Sequence, residues 1–162
     1  MGIESTTTNL ITFMRAYISD PTGESRTWIF PTMPKVTANF PEITLANIGS
    51  TSSEIGVGNT GQRYTYIFEI EVWVKRDNQV SVTVPIEGSN PPATTKIVYA
   101  GRRLLERISD STTNAFLDNK EYLLSTYNFF DVELYNHFTL PFDDEIDCFR
   151  KSIMLKVIVN RS

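Results

Sequence analysis

Residues 56–61, GVGNTG, form a G-x-G-x-x-G, the spacing by which a tight strand-to-helix turn carries a dinucleotide pyrophosphate onto a helix N-terminus. That chemistry needs a strand before the glycines and a helix after them. Here the clearest strand pattern, YTYIFEIEVWVK at 64–75, follows the glycines. The nearest helical pattern starts some thirty residues later. The same stretch reads as G-x-x-x-x-G, but Gln62-Arg63 stands where a phosphate-binding loop has Lys and Ser/Thr. The expectation is a glycine-rich loop and no cofactor.

Other chemistry is thinly supplied. His137 and Cys148 are the only histidine and cysteine. A zinc site takes three or four His, Cys or carboxylate ligands, so His137 is expected on a strand surface and Cys148 as a packing residue. No G-x-S-x-G elbow is present for a serine nucleophile. Glu69 and Glu71 share one strand face with Ile67 and Trp73, and a carboxylate pair can do acid–base work. Without a third polar partner they are expected on an exposed or subunit-facing surface. Asp143-Asp144-Glu145, with Asp147, does not follow the calcium-loop spacing. It reads as a solvated turn or as a charged contact for a basic neighbour such as Arg102, Arg103 and Arg107.

These residues need elements to position them. Leu10, Phe13, Met14, Tyr17 and Ile18 recur at helical spacing, predicting a helix over 7–19 started by Thr6, Thr7 or Thr8 and ended at Asp20-Pro21-Thr22-Gly23. Prolines 31, 34 and 41 allow only a short edge strand at 28–30 before a strand at 42–48. Residues 49–63, including Glu54 and Arg63, read as a long polar loop. Twelve alternating residues at 64–75 imply a projecting or strongly curved ribbon. Residues 76–92 read as a hairpin arm with Val80, Val82, Val84 and Ile86 on one side. A second helix is predicted over 93–109, and strands over 128–138 and 147–160. Two amphipathic helices on one side of an antiparallel or mixed sheet, with projecting hairpin and loops, give an α+β class.

The chain has 162 residues, the length of one domain, 1–162, and enough to bury roughly 70% of its unfolded surface. It carries 15 basic and 19 acidic side chains, a formal charge of −4. That balance argues against gripping duplex DNA by its phosphates. MGIESTTTNL lacks the basic and apolar regions of a signal peptide, though it fits the loose M-G-x-x-x-T acylation pattern. No stretch approaches 18 apolar residues, so no membrane span is expected.

The run FPEITLANIGSTSSEIGVGNTGQRYTYIFEIEVWVK, 40–75, together with the helix in YAGRRLLERISDSTTN, resembles the tail terminator (tail completion) proteins of tailed viruses. The likeness lies in a P-x-I-T-(V/L) strand, a Gly-rich loop and a long strand ending in (I/V)-W-V, and extends from about residue 5 to the end. The Val80–Pro92 stretch departs from shorter versions of the family. The resemblance implies a non-catalytic virion protein of the tail and neck, assembled in the host cytoplasm. It implies a hexameric ring that caps the tail tube, stops its polymerisation and meets the head-side connector, with DNA passing unread through the lumen. In such a ring one patch meets a different patch on the neighbour. Glu54, Arg63, Glu69, Glu71, Trp73, Arg102, Arg103, Arg107, Asp143, Asp144 and Glu145 are the candidate contacts. Alternatives are another neck, tube or adaptor subunit, a cellular interaction module, and a small-ligand-binding domain or enzyme.

Overall fold

The computed structural model describes residues 2–31, 39–54 and 61–161. The fold is α+β. Its elements in chain order are α1 (Ile3–Tyr17), β1 (Ile29–Phe30), β2 (Glu42–Glu54), β3 (Gln62–Lys75), β4 (Gln79–Pro85), β5 (Thr94–Ala100), α2 (Gly101–Asp118), α3 (Lys120–Tyr127), β6 (Asp131–Asp143) and β7 (Cys148–Arg161). Five strands form one sheet in the order β1-β2-β3-β7-β6. All its neighbours are antiparallel except the short β1–β2 pair. β4 and β5 form a separate two-stranded arm.

Strand alternation decides which face is buried. Tyr66, Phe68, Ile70, Val72 and Val74 of β3 and Ile153, Leu155, Val157 and Val159 of β7 point to one side. There they meet Leu10, Phe13 and Met14 of α1, Leu104, Leu105, Ile108 and Phe116 of α2, and Leu123 of α3. The Phe13 and Phe116 rings sit 5.0 Å apart and join the first two helices. Burying each such aliphatic or aromatic side chain stabilises the fold by roughly 1.5–3 kcal/mol, so this one-sided helix layer carries most of the packing.

Several boundaries differ from the sequence-based expectation. Helix α1 begins at Ile3 with Gly2 as its cap residue, and the Thr6 and Thr7 hydroxyls lie inside it. They donate to the carbonyls of Gly2 and Ile3 instead of capping. The polar stretch 49–54 is strand, not loop: β2 runs to Glu54 and pairs with β3 to Gln62. Its polar side chains suit it because this ribbon leaves the helix layer, and everything from Ser50 to Glu54 is exposed. The register shifts between Asn47 and Gly49, where the Asn47 amide donates to the Gly49 and Ile67 carbonyls at 3.1 and 3.0 Å. Ile48 is thereby pushed outward. Residues 56–60 of the glycine motif lie outside the described residues.

Residues 94–100 are strand β5, not the start of the second helix. Thr94, Thr95, Ile97, Val98 and Tyr99 favour an extended chain, and they pair with β4 from Gln79↔Ala100 to Pro85↔Thr94. Helix α2 begins at Gly101, whose φ is +47°. A Cβ there would lie 3.2 Å from the Phe149 ring and 3.3 Å from the Arg76 carbonyl oxygen, so the corner needs glycine twice over. α2 continues to Asp118, past the predicted end at 109, and is followed by a further helix, α3. β6 runs on to Asp143 with register shifts at Leu134/Asn136 and Leu140/Asp143. Among the described residues no helix is long and apolar enough to cross a membrane.

Candidate functional site

The sheet face away from the helices carries Glu69, Glu71 and Trp73, but not as an offered surface. Trp73 is only 2% exposed, packed with Phe40, Cys148 and Ile146. Its indole Nε1 donates to Thr44 Oγ1 at 3.2 Å, and the Arg150 guanidinium lies 4.9 Å from its ring centroid. Glu71 is also buried, between Thr44 and Ser152 across the strands. The Ser152 hydroxyl donates to Glu69 Oε1 at 2.6 Å. Burial pushes the Glu71 carboxyl above its ordinary range, Glu69 adds to that, and Arg150 opposes it. The expectation of an exposed or subunit-facing Glu69, Glu71 and Trp73 is therefore corrected for Glu71 and Trp73. Phe40 and Ile146 pack over Trp73 at the strand end, so alternation along β3 alone misleads.

Cys148 is fully buried, and burial pushes its thiol up to about 12. His137 stands exposed on edge strand β6. Among the described residues no group of three or more His, Cys, Asp or Glu is placed to hold a metal.

Glu54 and Arg63 sit on the outer part of the β2–β3 ribbon. Arg63 Nε donates to Asn160 Oδ1 at 3.2 Å, and its guanidinium stacks 4.2 Å from the Phe130 ring centroid. The arm is the other projection. Along its inner face Val80 is buried, Val82 and Val84 are half-buried, and Ile86 is 46% exposed. Ile97 shares that face through its pairing with Val82. A lone two-stranded hairpin is marginal in water, and this one keeps an apolar strip only its base can cover.

The 143–147 turn is tied by its own side chains. Asp143 Oδ1 accepts from the Glu145 and Ile146 amides at 3.2 and 3.3 Å. Asp143 Oδ2 lies 3.8 Å from Arg150. Asp147 takes the left-handed conformation, its carboxylate 3.1 Å from Arg76. Asp144 and Glu145 are left exposed at the tip. The cluster is thus divided: Asp143 and Asp147 make contacts within the turn, and the other two are exposed.

Arg102, Arg103 and Arg107 are exposed on α2. The Arg107 guanidinium lies 4.4 Å, and that of Arg103 5.8 Å, from the Tyr99 ring centroid. Both arginines line a cleft of about 970 Å³ between α2, the base of the arm and the chain leaving α1, walled also by Tyr17, Trp28 and Asn114. Two acids in this wall are already engaged: Glu106 with Lys151 and Asp20 with Arg26, the latter at 2.8 Å. In the sequence Tyr99 falls within a stretch, 93–109, that fits a helical spacing. Its aromatic side chain, just before an Arg-Arg pair, was the available signal.

The chain matches no protein-family model, and no curated protein matches its sequence.

Proposed function

We propose that this protein is a structural subunit that works by docking copies of itself, in the manner of the tail terminator proteins it resembles. In this reading it closes a hexameric ring on the head-proximal end of a tail tube, halts tube growth and presents a surface to the neck. DNA passes through the lumen without being read. The arm is the observation that carries the reading: its inner strip runs from buried Val80 to exposed Ile86, beyond the reach of the chain's own core. A heterologous contact would cover such a strip on a neighbouring copy.

The experiment is sedimentation of the full chain, alone and with preassembled tail tubes. The expected outcome is a closed oligomer in solution or on the tube, with tubes that no longer elongate. A chain that enters the body of growing tubes would favour the second reading, a tube or adaptor subunit. A chain that stays monomeric and leaves tubes growing would overturn both, and thermal stabilisation by a nucleotide would point to a ligand-binding domain.

A further inference from the structure

The helix-side cleft carries two cationic groups that the chain itself does not neutralise. Among the described residues no ion pair includes Arg103 or Arg107, whereas Arg26, Arg76, Arg150, Lys120, Lys151 and Lys156 all have acidic partners. Both guanidiniums lie over the Tyr99 ring, and no described hydrogen bond uses their N–H groups, which are suited to bind carboxylate oxygens. Asp110 and Asp118 lie further along the same α2 wall, so the basic end is the one beside the arm.

The complementary feature is the tip of the 143–147 turn. Asp144 and Glu145 are exposed, and no described ion pair includes them. The turn beneath them is braced by Asp143 and by the Asp147–Arg76 pair, so little ordering is lost when it docks. Cleft and turn are separate patches: the turn joins β6 to β7, and none of its residues lines the cleft. Two different, complementary patches on one chain are what a head-to-tail assembly requires.

We infer that the Arg103–Arg107–Tyr99 end of this cleft is the docking site for the Asp144–Glu145 turn of a second copy of the chain. This deepens, and rests on, the proposal that the chain acts by self-association. The chemistry is guanidinium to carboxylate, an orientation-setting contact that weakens with added salt.

Two charge-reversed full-length chains test it: Arg103→Glu with Arg107→Glu, and Asp144→Lys with Glu145→Lys. All four side chains are exposed, and thermal melts check that both variants fold. Measured by sedimentation at low salt, each variant alone should self-associate about tenfold more weakly than the wild type. An equimolar mixture should recover wild-type association. In an alternating assembly every contact is then complementary, either the native pair or its reversed form. Unchanged association of the single variants, or failure of the mixture to recover, overturns the inference while leaving self-association intact. A wild type that never associates overturns the underlying proposal instead. If the arginine variant associates normally but loses salt-dependent retention on duplex DNA, the cleft takes phosphate and the inference falls.

Discussion

Arg107 stacks 4.4 Å from the ring centroid of Tyr99, so the exposed face of α2 is clipped to the base of the arm. This contact joins the element that projects to the helix layer that holds the core. Replacing Tyr99 with Leu keeps an apolar body but removes the ring face. The expected cost to global stability is about 0.5–1 kcal/mol, with faster amide exchange at Val82 and Ile97. Exchange rates identical to the wild type would show that the stack does not anchor the arm.

Gly101 is the corner through which β5 passes directly into α2. Gly101→Ala forces a side chain onto a positive φ and into contact with Phe149 and the Arg76 carbonyl. A loss of roughly 1–3 kcal/mol in a denaturant melt is expected. An unchanged midpoint would mean that the corner relaxes freely.

Ile86 carries the exposed end of the arm's apolar strip. The change Ile86→Lys should leave monomer stability within about 0.5 kcal/mol, as for surface positions generally. Self-association should fall sharply, as read by sedimentation. A large fall in melting temperature without loss of association would place the strip inside the chain's own packing.

Glu71 and Glu42 bring a pH dependence whose sign follows from their burial. Burial raises both carboxyls; Glu69 adds to the shift at Glu71, and Arg26 opposes it at Glu42. The folded chain therefore holds these protons more tightly than the unfolded chain does. Their contribution to stability is present at acid pH and is lost as pH rises from the ordinary carboxylate range through the raised folded value. Asp131, lowered chiefly by its hydrogen bond with Lys120, acts in the opposite sense below the ordinary range. Glu71→Gln should melt higher than the wild type at neutral pH and show a smaller decline across that window. A parallel pair of curves would contradict this.

Cys148 is fully buried with its thiol pushed up to about 12. At mildly alkaline pH it should resist a thiol-specific reagent in the native chain and react within seconds to minutes once denaturant is added, as thiolate supply dictates. Rapid native labelling would mean that the Phe40–Trp73 cluster opens readily.

The sequence shows the helix layer and the central strands well, because their apolar residues repeat at periods of 3.6 and 2 over long stretches. Phe68 through Val74 and Ile153 through Val159 were legible for that reason. The arm's second strand was not. Ile97, Leu104, Leu105 and Ile108 also fit a helical spacing, and nothing but a glycine marks the corner between strand and helix. The strand at 49–54 was hidden by its Ser and Thr, which suit a solvated ribbon as well as a loop. The burial of Trp73 depends on Phe40 and Ile146, far from it in sequence, and no local pattern encodes that. Likewise the basic residues 102, 103 and 107 were visible on a helix face, but Tyr99 beside them emerged only when 94–100 folded back along β4.

Imaging the full-length chain by electron microscopy, alone and on the ends of tail tubes, addresses self-docking directly. A closed ring of six copies, each of 18.4 kDa, with the arm of one copy lying on the next, is the expected result. Solitary subunits at every concentration and on every tube, each with its arm solvated and unpartnered, would contradict it.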